Sequence, residues 1–321
     1  MRSPSTAAAL FAGIVLLALF PGETRGTAQE LEIATQLSLT EGPTVDRDGN
    51  VYFAEIMTQR IMKFSRDGVL SVYRHESNAA NGMLIDPQGR LIVCEGAASA
   101  TAQRSGLTVR GTPRVTRTDL TTGTIEILAD QYDGKPLVGP NDVTIDGEGR
   151  LYFTDFNGAA VYRIDAPGKL ARILTAPDVQ RPNGIQISPD DRTLYLVEAN
   201  GTEGGARMIR AYDLLADGTV RNMRVFYNFY PGRGADGMSV DTQGNLYASA
   251  GMHRTRGTAE TLDTPCGVYV ISSAGKLLRF IPVPEDYITN NAFGGPDMKT
   301  LYVTAGKTLY KIRTEIPGLP R

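Results

Sequence analysis

One line of sequence is written six times in this chain. From Glu41 it reads "EGPTVDRDGNVYFAEI", and the pattern returns as "NGMLIDPQGRLIVCEG" at Asn81, "NDVTIDGEGRLYFTDF" at Asn141, "NGIQISPDDRTLYLVEA" at Asn183, "DGMSVDTQGNLYASAG" at Asp236 and "NAFGGPDMKTLYVTAG" at Asn291. Each line is a short apolar-polar alternation, a turn such as Asp48-Gly49, Glu148-Gly149 or Gln243-Gly244, and a second strand, which together are a hairpin signal. A third strand usually follows, as in "AVYRIDA" from Ala160, and stretches such as "LSVYRH", "IEILAD" and "LLRFIPV" supply a fourth for five units. Four-stranded antiparallel meanders repeated every ~40 to 60 residues build a propeller, whose blades bury both faces against their neighbours. The chain is expected to be all-β, a six-bladed β-propeller of four-stranded antiparallel blades. A β-sandwich, the other architecture for many short strands, imposes no sixfold repeat. The last unit lacks its own fourth strand, and "LEIATQLSL" at residues 31–39 is expected to supply it and close the ring.

The chain ahead of the first repeat has a different character. Residues 1–28 read as a secretory signal peptide: Arg2, an apolar stretch from Ala7 to Phe20, then Pro21-Gly22 and the small residues Gly26-Thr27-Ala28. The apolar run is shorter than the roughly 20 residues that cross a bilayer. Residues 29–321 are then one domain, exported to a periplasm or secreted, with no membrane attachment once the leader is cut. No linker divides it, and the long excursions near 97–112, 200–206 and 251–265 are insertions between strands. The formal charge of −2 becomes −3 without Arg2, Glu23 and Arg25, which gives nucleic acid or an anionic membrane nothing to bind. Cys94 and Cys266 fall on opposite sides of such a ring, too far apart for a disulfide. With no CxxC, no HExxH and only His75 and His253, a histidine-cysteine zinc site or a serine-histidine triad has little material.

The first strand of each propeller blade lines the central channel, so the opening letters of the six lines should meet at one mouth. Those letters are Glu41, Asn81, Asn141, Asn183, Asp236 and Asn291. Each carries a side-chain oxygen and none is cationic. One such Asn is ordinary turn chemistry. Six in register make a ring of carboxylate and amide oxygens, the donor set of a hard divalent cation. Ca²⁺ suits two anions with several neutral oxygens; Mg²⁺, Mn²⁺ or Zn²⁺ are the alternatives.

Glu41-Gly42-Pro43, "GPNDV" from Gly139, "RPNGIQISPDDRTLYLVE" from Arg181 and "GADGMSVDTQGNLYAS" from Gly234 resemble the gluconolactonase, regucalcin and luciferin-regenerating-enzyme family. The similarity runs over essentially the whole chain after the leader. It implies a six-bladed, metal-dependent propeller that hydrolyses lactones, with Glu41, Asn183 and Asp236 as metal ligands and Asn141 touching metal or substrate. It also favours Asp236 as the base that activates water. Two positions depart from the pattern: Gly139 stands where the regucalcin branch has a substrate-binding Arg, and Asn81 where paraoxonase-like propellers have a His.

Asp142, next to Asn141, is a second candidate base. A further acidic series, Glu55, Glu95, Asp155 and Glu198, ends the second strands; Glu95 and Glu198 are the candidates for substrate contact alongside Asn81 and Asn141. Arg110, Arg114, Arg233 and His253 lie in or beside the insertions, where a substrate anion could be gripped. The residues thus point to a Ca²⁺-dependent lactonase acting on a small lactone or ester. A non-catalytic, metal-stabilised propeller that binds a small molecule or a protein is the reading from another class, because the fold alone does not decide function.

Overall fold

The computed structural model describes residues 37–96 and 111–320. The leader, residues 31–36 of the expected closing strand, and residues 97–110 with Arg110 lie outside the described residues.

All regular structure among the described residues is β. Five sheets have four antiparallel strands in sequence order, and a sixth, Ile288–Gly294, Thr300–Ala305 and Thr308–Arg313, has three. A two-stranded ribbon, Gln131–Tyr132 with Lys135–Pro136, is added between the second and third. The sheets are the six blades of a propeller. The inner strands are Thr40–Val45, Met83–Ile85, Pro140–Ile145, Pro182–Ile187, Ala235–Val240 and Ile288–Gly294.

The repeated turn has a repeated cause. Asp46, Asp86, Asp146 and Asp241 each accept backbone N–H groups of the turn on Oδ1, as from Glu148 at 3.0 Å and Arg150 at 2.9 Å in the third blade. Such an Asp hydrogen-bonds its own turn and fixes the hairpin between the first two strands.

Burial falls from the channel outward. Pro140–Ile145 and the second strand Leu151–Asp155 are wholly buried, whereas the outer strand Val220–Asn228 is mostly exposed. The apolar core is split into layers between successive blades. Phe153, Val143 and Tyr162 meet Ile92 and Leu128 of the blade before, and Tyr152 and Val161 meet Ile185 and Leu196 of the blade after. The six-line repeat encodes this arrangement, because both faces of each sheet need apolar residues. Cys94 and Cys266 are free and buried in the second and fifth blades.

First and last blades meet at the inner strands. Thr40 N donates to Gly306 O at 2.8 Å, and Thr289 Oγ1 donates to Thr40 O at 2.8 Å. Residues 37–39 form no strand, so a fourth strand for the sixth blade is not seen among the described residues. The C-terminal segment crosses beneath the fifth and sixth blades, with Gly318 N on Met298 O at 2.8 Å and Leu319 N on Val240 O at 3.0 Å.

Candidate functional site

Inner-strand register decides which side chains share the mouth. Pro140 pairs with Asp155, Pro182 with Glu198, Ala235 with Ala250 and Thr40 with Glu55, so the residues that follow, Asn141, Asn183, Asp236 and Glu41, occupy one level. In the sixth blade Ile288 pairs with Ala305, which places Thr289 at that level. This corrects the expected position of Asn291. Phe293 pairs with Leu301 across seven intervening residues where Val240 pairs with Leu246 across five, and the longer hairpin shifts the count by two. Asn291 instead ties two blades together, donating to Tyr247 O at 2.8 Å and Ser249 Oγ at 2.9 Å.

Glu41, Asn81, Asn141, Asn183, Asp236 and Thr289 line one cavity of about 180 Å³ at the channel mouth. Its walls are completed by Leu39, Ile56, Phe156, Asn157 and Tyr287, with Arg233 and Arg256. The amides run as a relay: Asn81 Nδ2 donates to Asn141 Oδ1 at 2.9 Å, and Asn141 Nδ2 to Asn183 Oδ1 at 2.5 Å. The Asn183 side chain in turn hydrogen-bonds Asp236. Arg233 Nη2 donates to Asp236 Oδ2 at 2.6 Å, while its Nη1 meets Gly251 O and Ile288 O at 3.1 Å each. Thr289 Oγ1 is turned to backbone and to Thr304, so its hydroxyl serves ring closure.

Two carboxylates in so small a space repel each other's charge. Burial first, then Asp236 and Asp142, raise Glu41 well above the usual carboxyl range. Burial also raises Asp236, against the pull of Arg233 and the Asn183 amide. A divalent cation relieves that repulsion. Among the described residues no group of three or more His, Cys, Asp or Glu side chains could hold a metal, so the cation would take a mixed set of Glu41, Asp236, Asn183 and Asn141 oxygens. That set fits a hard cation and suits zinc poorly.

One level deeper the letters are Gly42, Gly82, Asp142, Gly184, Gly237 and Asn290. Asp142 and Asn290 reach across the channel, with Asn290 Nδ2 at 3.2 Å and 3.0 Å from the two carboxylate oxygens. They need the glycines: a Cβ on Gly82 would lie 2.2 Å from Asp142 Oδ1, and one on Gly237 2.0 Å from Asn290 Cγ. Both line a separate cavity of about 130 Å³ below the mouth. Asp142, expected as a base, therefore stands beneath the mouth cavity and does not line it. Burial pushes its pKa up to about 8, against the Asn290 hydrogen bond.

Glu95 and Glu198, expected to touch substrate, do not line the mouth cavity either. Glu198 accepts the backbone N–H groups of Gln180 and Arg181 at 3.1 Å and 2.8 Å and lies 3.3 Å from Arg210. Glu55 holds Ser38 N at 3.0 Å, and Asp155 holds Val138 N and Gly139 N at 2.9 Å and 2.8 Å. Each anchors the loop that leads into its own blade's inner strand. Glu95 is taken by Arg74, Arg114 and Thr116. His253 bonds Val283 O at 2.8 Å and stays outside the wall. Reading by repeats missed Thr289, Phe156, Asn157, Arg256 and Tyr287; Phe156 closes the third repeated line, and the last three belong to segments between the lines, where only adjacency to a line end or an insertion could have flagged them.

Fold and site together define a class, six-bladed propellers whose channel mouth gathers carboxylate and amide oxygens from several blades. Residues 39–307 match the SMP-30/Gluconolactonase/LRE-like region, and the chain belongs to that family. It is 26% identical over 322 residues to a gluconolactonase of Zymomonas mobilis, covering 89% of this chain and 81% of that one. A solved gluconolactonase from Xanthomonas campestris superposes with a TM-score of 0.69 at 27% identity, covering 88% of this chain and 87% of that one. A calcium-binding regucalcin from Agrobacterium tumefaciens shares the fold at a TM-score of 0.67 and 20% identity, over 89% and 93% of the two chains.

Proposed function

We propose that this protein is a divalent-cation-dependent lactonase, with Ca²⁺ the cation its donor set fits best, and that it works outside the cytoplasm after loss of residues 1–28. The observation that carries the reading is the convergence of Glu41, Asp236, Asn141 and Asn183 on one cavity at the channel mouth. Relatives that are gluconolactonases supply the reaction class.

A cation held by these oxygens supplies Lewis-acid polarisation of the lactone carbonyl and charge compensation as oxyanion character develops. The chain's own residues do the rest. Asp236 carries two contacts, Arg233 and Asn183, that fix its carboxylate at the mouth, where it serves as the general base. It takes a proton from water as the water oxygen bonds to the carbonyl carbon. The ring C–O bond then breaks, and the proton returns to the ring oxygen, which leaves as an alcohol. Glu41 is held by Gly42 N on Oε2 at 2.7 Å and serves as the second anion. Leu39, Ile56 and Phe156 form the apolar side of the cavity and limit water around the reacting ester.

The test is proton release from a panel of sugar, aliphatic and aromatic lactones, with Ca²⁺ and then with excess chelator. Turnover that chelator abolishes and Ca²⁺ restores is the expected result. Turnover unaffected by chelator, or none on any lactone while Ca²⁺ binds, would overturn the reading.

A further inference from the structure

Among the described residues, two guanidinium groups line the mouth cavity, and they are placed differently. Arg233 is committed to Asp236 and two carbonyls. Arg256 comes from the long insertion of the fifth blade. Its Nη2 donates to Asp286 Oδ1 at 2.7 Å, its guanidinium lies 3.8 Å from the centroid of the Tyr287 ring, and its Nε is buried without a partner. The protein therefore orients this group without saturating its donors.

The mounting is costly, which argues for a purpose. Tyr287 holds a φ of +62°, a left-handed conformation that bulky residues rarely adopt outside functional sites. The same Asp286 Oδ1 that holds Arg256 accepts Tyr287 N at 2.9 Å and His253 N at 3.3 Å. One carboxylate oxygen thus locks insertion, ring and guanidinium at the rim.

Charge shows what such a group would meet. Glu41 and Asp236 balance Arg233 and Arg256 on the wall. A divalent cation in the ring, on which the proposed function and this inference both rest, adds two positive charges, and Asp286 behind Arg256 removes one. An excess positive charge faces the cavity.

We propose that Arg256 is a specificity-determining residue that binds a carboxylate carried by the substrate away from its ester, so that the preferred substrates are lactones of sugar diacids. A planar guanidinium with free N–H donors matches a carboxylate better than a hydroxyl. With Gly139 offering no side chain on the third blade, this grip comes instead from the insertion of the fifth.

Galactarolactone and galactonolactone share a ring and differ in a terminal carboxylate against a terminal hydroxymethyl, which makes them the matched probes. The calcium-loaded protein is expected to prefer galactarolactone in kcat/KM by about tenfold or more, the scale of one charge-assisted contact. Arg256→Gln should collapse that ratio, chiefly through KM, and Arg256→Lys should restore part of it. Calorimetric binding of galactarate, which has no ester to cleave, should weaken in parallel. A wild-type preference for galactonolactone, or a ratio unchanged by Arg256→Gln, overturns the assignment. If neither lactone is turned over, the wider lactone panel decides the lactonase reading and galactarate decides this one: binding that depends on Arg256 keeps the anion site, and binding indifferent to it, or absent, removes it.

Discussion

Asp142 shows how one side chain's neighbours decide its role. It follows Asn141 directly, yet the pleat of the inner strand points it one level down the channel, onto Asn290 of the opposite blade. With its pKa pushed up to about 8 by burial, the folded state holds a proton that the unfolded chain releases near pH 4. The sign follows: its stabilising contribution is complete below about pH 4 and is lost as pH rises toward 8. The metal-free protein should accordingly lose stability over that window, and Asp142→Asn should flatten the slope, by an amount on the order of a few kcal/mol at pH 8. Denaturant midpoints at pH 5 and pH 8 measure it; an identical slope in both proteins would show that Asp142 carries no buried proton. The sequence made the carboxylate visible. Its level in the channel depended on the glycines at 82 and 237, whose missing side chains make room for Asp142 and Asn290.

At the level of strands and loops, the acidic residues ending the second strands anchor the inner ones. Glu55, Asp155 and Glu198 reach backbone N–H groups 16 to 18 positions earlier in the chain, across the hairpin between. Their recurrence was legible, whereas their partners were not, because an N–H group carries no sequence signal. Removing such a carboxylate strands buried donors, at a cost of about 1–3 kcal/mol for each group left unpaired. Glu198→Ala should thus lower stability by roughly 3 kcal/mol, since it strands Gln180 N and Arg181 N and leaves Arg210 with the Asp178 carbonyl but no counter-charge. It should also weaken cation binding at Asn183, which that loop positions. Urea unfolding and a Ca²⁺ titration of the variant check both; a loss under about 0.5 kcal/mol would mean that the loop holds itself. Arg207 does similar work between insertions, fully buried and donating to the carbonyls of Asn200, Thr202, Pro231 and Ala259.

Over the whole molecule, repeat counting found five blades in register and slipped in the sixth. The slip has a physical origin: counting back from "LYV" takes the hairpins as equal, whereas the sixth carries one more strand pair, Gly294 with Thr300, ahead of a turn of the same five residues. Thr289 then takes the place of an amide, and the ring offers its oxygens from the first five blades. The walls of the cavity were less legible than its floor, because Asn157, Arg256 and Tyr287 come from segments that do not repeat. What the propeller achieves as a unit is convergence, bringing residues as distant in sequence as Glu41 and Asp236 to one cavity. No single blade holds more than one of the four proposed ligands. The most direct measurement of that claim is a calorimetric Ca²⁺ titration of the wild-type protein and of Asp236→Ala, with circular dichroism of each. One site per chain in the wild type, lost in the variant while the β spectrum is kept, is the predicted result. Undiminished Ca²⁺ affinity in Asp236→Ala would contradict the assignment of the mouth as the cation site.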